Sequence, residues 1–77
     1  MNIGDLVKNT VDLVLNRDWD TGEITAIIPA GTSGRVVKND DCPKGISEKH
    51  WYRYEIAFDG VDSTSPFPCK ASELSVA

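Results

Sequence analysis

The sequence predicts an all-β fold in which five short strands close into one small barrel. Six glycines and four prolines divide the 77 residues into segments too short for typical helices. In several segments apolar and polar residues alternate, which is the pattern of half-buried strands. Closing such strands into a barrel removes the exposed edges that a flat sheet of this size would carry.

The clearest strand covers residues 51–59, with the sequence WYRYEIAFD. Tyr52, Tyr54, Ile56 and Phe58 lie at alternate positions, so we expect one buried face. An earlier strand is predicted at 32–39, where Gly34 indicates a bulge or a close backbone approach. Between these two strands, the polar and aperiodic residues 40–50 are expected to form a long, exposed hairpin loop.

The first third of the chain has three weaker strand signals, at residues 3–8, 11–16 and 24–28, and a polar turn at 17–23. A helix over 7–15 also fits the spacing of apolar residues, but β-branched residues and the lack of an N-cap favour strands. The expected core consists of Leu6, Val11, Leu13, Leu15, Ile24, Ile28, Val36, Tyr52, Tyr54, Ile56, Phe58 and Leu74.

The end of the chain suits one short helical turn at 70–74 followed by a closing edge strand at 75–76. Residues 1–77 are expected to form a single domain, since a chain of this length holds only one small core. So small a core leaves no room for a large, dry active-site cavity, and we expect no enzyme activity.

Twelve acidic residues against eight basic ones give a net charge of −4. This balance makes nucleic acid an unlikely partner and disfavours anionic membranes, although Arg35, Lys38 and Arg53 keep a nucleic-acid-associated barrel as a weak alternative. We see no signal peptide and no apolar run long enough to cross a membrane. The expected location is cytoplasmic, and the oligomeric state stays open.

Cys42 and Cys69 lie 27 positions apart, and His50 is the single histidine. These three scattered side chains do not form a zinc-binding pattern, and we expect no cofactor or metal. Two free thiols are the simplest interpretation, while a disulfide between them stays open. Cys42 and His50, eight residues apart on a loop, are poorly placed for nucleophilic catalysis.

The order of these signals resembles that of Src-homology-3-like barrels, over about residues 3–76. The usual glycine–tryptophan–valine (or isoleucine) motif before the final turn is absent, and Ser65, Pro66 and Phe67 stand there instead. Such barrels also occur as small accessory subunits of larger enzymes and redox complexes, so the resemblance implies a fold rather than an activity. The matching positions are Leu15, Asn16, Arg17, Gly22, Ile24, Pro29, Ala30, Gly31, Thr32, Val36, Trp51, Ile56, Gly60 and Leu74.

The resemblance also implies a binding groove, because peptide-binding members hold proline-rich or basic peptides on aromatic residues. We expect this groove to combine Trp19, Trp51, Asp18, Asp20 and Glu23, since aromatic rings pack against proline or arginine and carboxylates pair with cations. The predicted function is a protein-binding accessory module. Two alternatives are an acidic subunit or inhibitor docked on a larger complex, and tryptophans that only cover the barrel ends.

Overall fold

The computed structural model describes residues 1–61 and 66–77, and within these ranges it contains seven strands and two 3-10 turns. The all-β prediction is therefore confirmed. The 3-10 turns are η1 (Glu48–His50) and η2 (Ala71–Glu73). The strands are β1 (Leu6–Asn9), β2 (Leu13–Arg17), β3 (Ile24–Ile28), β4 (Ser33–Asn39), β5 (Tyr54–Phe58), β6 (Phe67–Cys69) and β7 (Leu74–Val76).

The prediction of five strands closed into a barrel is wrong. Five strands form an antiparallel sheet in the order β6-β5-β4-β1-β7, while β2 and β3 pair with each other in a separate hairpin. The sheet is open: its edge strands, β6 and β7, each pair with one neighbour among the described residues, and β2 and β3 pair with each other instead of extending it.

Most predicted elements lie where the sequence placed them. The strand at 24–28 coincides with β3, β4 and β5 lie within their predicted segments, and η2 lies within the turn predicted at 70–74. The helix considered over 7–15 does not form, because β1 and β2 occupy that segment. Strand β6 was not predicted, since proline cannot donate to a ladder; Pro68 fits there because β6 is an edge strand.

The core fills one face of the sheet, and its packing explains Gly34. A Cβ at this position would lie 2.6 Å from Cγ2 of Ile56, so the predicted close backbone approach is confirmed. The bulge of β4 lies elsewhere, between Val36 and Lys38. The buried apolar residues are Val7, Leu13, Ile28, Val36, Tyr54, Ile56, Phe58, Cys69 and Leu74.

Five predicted core residues are instead exposed: Leu6, Val11, Leu15, Ile24 and Tyr52. In β1 the buried face has the opposite parity, because Val7 and Asn9 point inward. Tyr52 precedes β5 rather than belonging to it, so the alternation of the strand does not extend to its side chain. The other three lie in or beside the hairpin, whose strands leave the core beyond Leu13 and Ile28.

Asn9 joins the hairpin to the sheet. Its side chain is buried, with 2% of its surface exposed, and its amide nitrogen donates to the carbonyls of Ile28 and Pro29 at 3.1 and 2.9 Å. The same nitrogen donates to the carbonyl of Val11 at 2.9 Å, while its carbonyl oxygen accepts from the Thr32 N–H. One polar side chain therefore holds both ends of the hairpin against β1.

Candidate functional site

The loop that connects β2 to β3 holds four of the five residues predicted to bind a partner. Its ends are joined by hydrogen bonds from the Asp18 N–H to the Glu23 carbonyl (2.7 Å) and from the Gly22 N–H to the Asp18 carbonyl (3.0 Å). Gly22 adopts a φ of 74°, a left-handed conformation that glycine accepts without strain. The loop therefore has a defined shape even though its residues are exposed.

Asp18 organises this loop from within. Its carboxylate accepts hydrogen bonds from the backbone N–H groups of Asp20 at 2.8 Å and Thr21 at 3.1 Å. These bonds, with the one from Thr21 the stronger influence, lower the pKa of Asp18 below its ordinary value. Asp18 thus shapes the loop as an ionised turn residue, in addition to contributing charge.

Trp19 is almost completely exposed, with 99% of its surface open to solvent. It borders an open depression of about 350 Å³ together with Arg17, Asp18 and Gly22. The Arg17 guanidinium donates to the Gly22 carbonyl at 2.6 Å, which fixes the cation against the loop. The indole ring is thus presented on a hydrogen-bonded turn that also carries the carboxylates of Asp18, Asp20 and Glu23.

Trp51 has a different environment. Its indole N–H donates to the Asp40 carbonyl at 2.9 Å, and its ring is half-buried. It lines a depression of about 110 Å³ whose residues include Cys42, Glu48 and Arg53. This depression shares no lining residue with the one beside Trp19, so the two tryptophans line separate depressions.

The loop at 40–50 connects two neighbouring antiparallel strands, as expected for a hairpin loop. Sequence reasoning missed the role of Arg53, which anchors this loop to β5. Its guanidinium donates to the Asp41 carboxylate at 2.9 Å and to the side-chain oxygen of Asn39 at 3.0 Å. A single arginine among the aromatic residues of the predicted strand was the signal available, and it was considered only with Arg35 and Lys38 for the nucleic-acid alternative.

A third depression, of about 300 Å³, lies where the hairpin meets the sheet edge. Leu13 and Val14 of β2 face Phe67 and Pro68 of β6 across it. Tyr52 also lines this depression, and the Lys70 ammonium lies 5.1 Å from the centre of its ring. The surface is mostly apolar, and Glu73 is the charged residue among those that line it.

Both cysteines are free thiols. Cys42 is half-buried and donates to the Ile46 carbonyl at 3.1 Å. Cys69 is fully buried, and this burial, aided by the nearby charge of Glu73, raises its pKa to about 12. Among residues 1–61 and 66–77, no cluster of three or more His, Cys, Asp or Glu side chains could hold a metal ion.

No protein family, curated protein or solved structure matches this chain. In the part of the chain that the structure describes, no helix is long and apolar enough to span a membrane. A functional assignment therefore depends on the geometry of the chain itself.

Proposed function

We propose that this chain is a protein-binding module and that the β2–β3 loop is its contact site. The observation that carries the proposal is the complete exposure of Trp19 on a loop ordered by its own hydrogen bonds. A large aromatic ring in water gains much from burial, and tryptophan is among the residues most enriched at binding hot spots. Because the loop is already ordered, little conformational entropy is lost on binding.

The charge around Trp19 indicates the kind of partner. Asp18, Asp20 and Glu23 lie on the loop that presents the ring, and the Arg17 guanidinium at the start of this loop donates to the Gly22 carbonyl. A protein or peptide with a basic or proline-rich surface fits this site, because an indole face attracts cations and packs against proline. We leave Trp51 out of the proposed site, because it lines a separate depression and its N–H is bonded to the Asp40 carbonyl.

The 3-10 turn η2, which directly precedes the last strand, supports the Src-homology-3-like resemblance as part of the same proposal. The long hairpin inserted between the first strand and β4 supports it as well. In peptide-binding members of that family, an aromatic groove holds basic and proline-rich peptides.

The test is to select short random peptides displayed on phage against the wild-type protein. We expect the selected peptides to be rich in lysine, arginine and proline. Trp19→Ala should weaken their binding about thirtyfold, the loss typical of a hot-spot residue. Asp20→Asn with Glu23→Gln should weaken it about fivefold and reduce its salt dependence, since exposed charge pairs contribute modestly.

Trp51→Phe is the matched control, because it alters the other tryptophan and keeps an aromatic ring. Peptide affinity should be unchanged in this variant. Selected peptides that bind Trp19→Ala as tightly as wild type would overturn the proposal, as would a selection that yields no binding peptide.

A further inference from the structure

The β2–β3 hairpin exposes more apolar surface than its loop alone. Val14 and Ile27 lie directly opposite each other in the strand register, and Leu15 and Ile24 lie in the same two strands. Each of these four side chains has between 38% and 47% of its surface exposed. We refer to Val14, Leu15, Ile24 and Ile27 as the hairpin apolar surface.

These four positions are apolar although the core does not bury their side chains. Only Leu13 and Ile28, at the base of the hairpin, are buried in it. Single exposed aliphatic residues are ordinary on protein surfaces, but a group of them on one element marks an interaction site. Strand pairing restricts these side chains, so a partner would meet a largely preformed surface.

The charge of the hairpin indicates which kind of partner fits it. Between residues 13 and 28 it carries three carboxylates, Asp18, Asp20 and Glu23, against one cation, Arg17. A second copy docked hairpin to hairpin would bring two such acidic loops together, and like charges oppose that contact. The complementary partner has lysine or arginine beside its own apolar residues.

We propose that the hairpin apolar surface binds a segment of a partner protein in which apolar side chains alternate with or flank lysine or arginine. This inference rests on the proposed function and extends its site from the loop to the hairpin strands. The apolar residues of the partner would cover Val14 and Ile27, while its cations would pair with the carboxylates beside Trp19.

The test repeats the peptide selection with Val14→Thr/Ile27→Thr, which keeps β-branched side chains at both positions but makes them polar. Wild-type protein should select peptides with both basic and apolar residues. The double variant should bind these peptides about tenfold more weakly, and peptides selected against it should keep their basic residues but lose the apolar enrichment.

The matched control is Val37→Thr/Val76→Thr, which makes the same kind of change at exposed valines of the five-stranded sheet. This control should bind the peptides as wild type does. Circular dichroism verifies that both double variants are folded, and if the threonine pair unfolds the hairpin, Ile27→Thr alone is tested against Val37→Thr.

The outcomes separate this inference from the proposed function. If Trp19→Ala weakens binding and the hairpin variant does not, the inference is wrong and the loop site stands. If neither variant weakens binding, both proposals fail. If sedimentation equilibrium shows that wild type forms a dimer that Val14→Thr/Ile27→Thr abolishes, the occupant is a second copy, and the inference is again wrong.

Discussion

The five-stranded sheet and the β2–β3 hairpin both contain valine and isoleucine, and the two regions differ in how far these side chains are exposed. In the sheet Val7, Val36 and Ile56 are at most 1% exposed. In the hairpin, Val14 and Ile27 are more than 40% exposed, although they too are apolar residues of paired strands. The difference lies in what covers each face, and it indicates that the sheet provides stability while the hairpin is available for contact.

The largest expected difference between buried and exposed positions concerns the two cysteines. Cys69 in β6 should react roughly a thousandfold more slowly with a thiol reagent at mildly alkaline pH than an unburied thiol, because only the thiolate is nucleophilic and burial raises the pKa of Cys69 to about 12. Cys42, which lies outside the sheet, should react first. The measurement follows reagent release in Cys42→Ser and Cys69→Ser proteins.

The raised pKa of Cys69 also predicts a pH effect on stability. The thiol has its ordinary pKa of 9.0 in the unfolded chain, and burial raises its pKa to about 12 in the folded protein. Folding is thus most favoured by this group below pH 9.0, and its contribution is lost as the pH rises toward about 12. A Cys69 that labels as fast as Cys42 in the folded protein would contradict this account of the sheet interior.

Truncating one isoleucine in each region should give the next largest difference. Ile56→Ala removes a fully buried side chain of β5 and should destabilise the protein by about 2–5 kcal/mol. Ile27→Ala removes a half-exposed one and should cost under about 1 kcal/mol. Urea unfolding measures both free energies, and equal losses would show that the hairpin is packed as tightly as the sheet.

Asn9→Ala tests the junction between the two regions. Removing this side chain takes one donor from the carbonyls of Ile28 and Pro29 and one acceptor from the N–H of Thr32, which keeps its bond to the Pro29 carbonyl. The expected loss of stability is about 2 kcal/mol, with faster amide exchange in β2 and β3 than in β4 and β5. Asn16→Ala, at an exposed position of the hairpin, is the control and should change little.

The same contrast explains which features the sequence could predict. Strand β5 was located because alternation over a half-buried sheet is a strong signal. Strand β4 was located from Val36 and Val37 at its centre, and Gly34 signalled its close approach. Leu15 and Ile24 carry the same alternation but lie exposed in the hairpin, because periodicity does not reveal whether a second layer covers a face. The open sheet was missed for a related reason, since strand count does not determine closure.

The candidate site was predicted in part. Asp18, Trp19, Asp20 and Glu23 were recognisable because a tryptophan between acids in a polar turn is unlikely to be buried. The position of Trp51 depends on its bond to Asp40, a contact between distant residues that no local pattern encodes. Val14 and Ile27 were not recognised as a surface, because the alternation assigned only their neighbours Leu13 and Ile28 to the core and no pattern pairs residues of two strands.

The most direct test of the central claim is fluorescence quenching of each tryptophan alone, in the Trp51→Phe and Trp19→Phe proteins. Trp19 should be quenched by acrylamide almost as readily as free tryptophan, and more by caesium than by iodide, because Asp18 and Asp20 flank it. Trp51, half-buried and bonded to Asp40, should be quenched less. A Trp19 as shielded as Trp51 would contradict the claim that the loop presents it for binding.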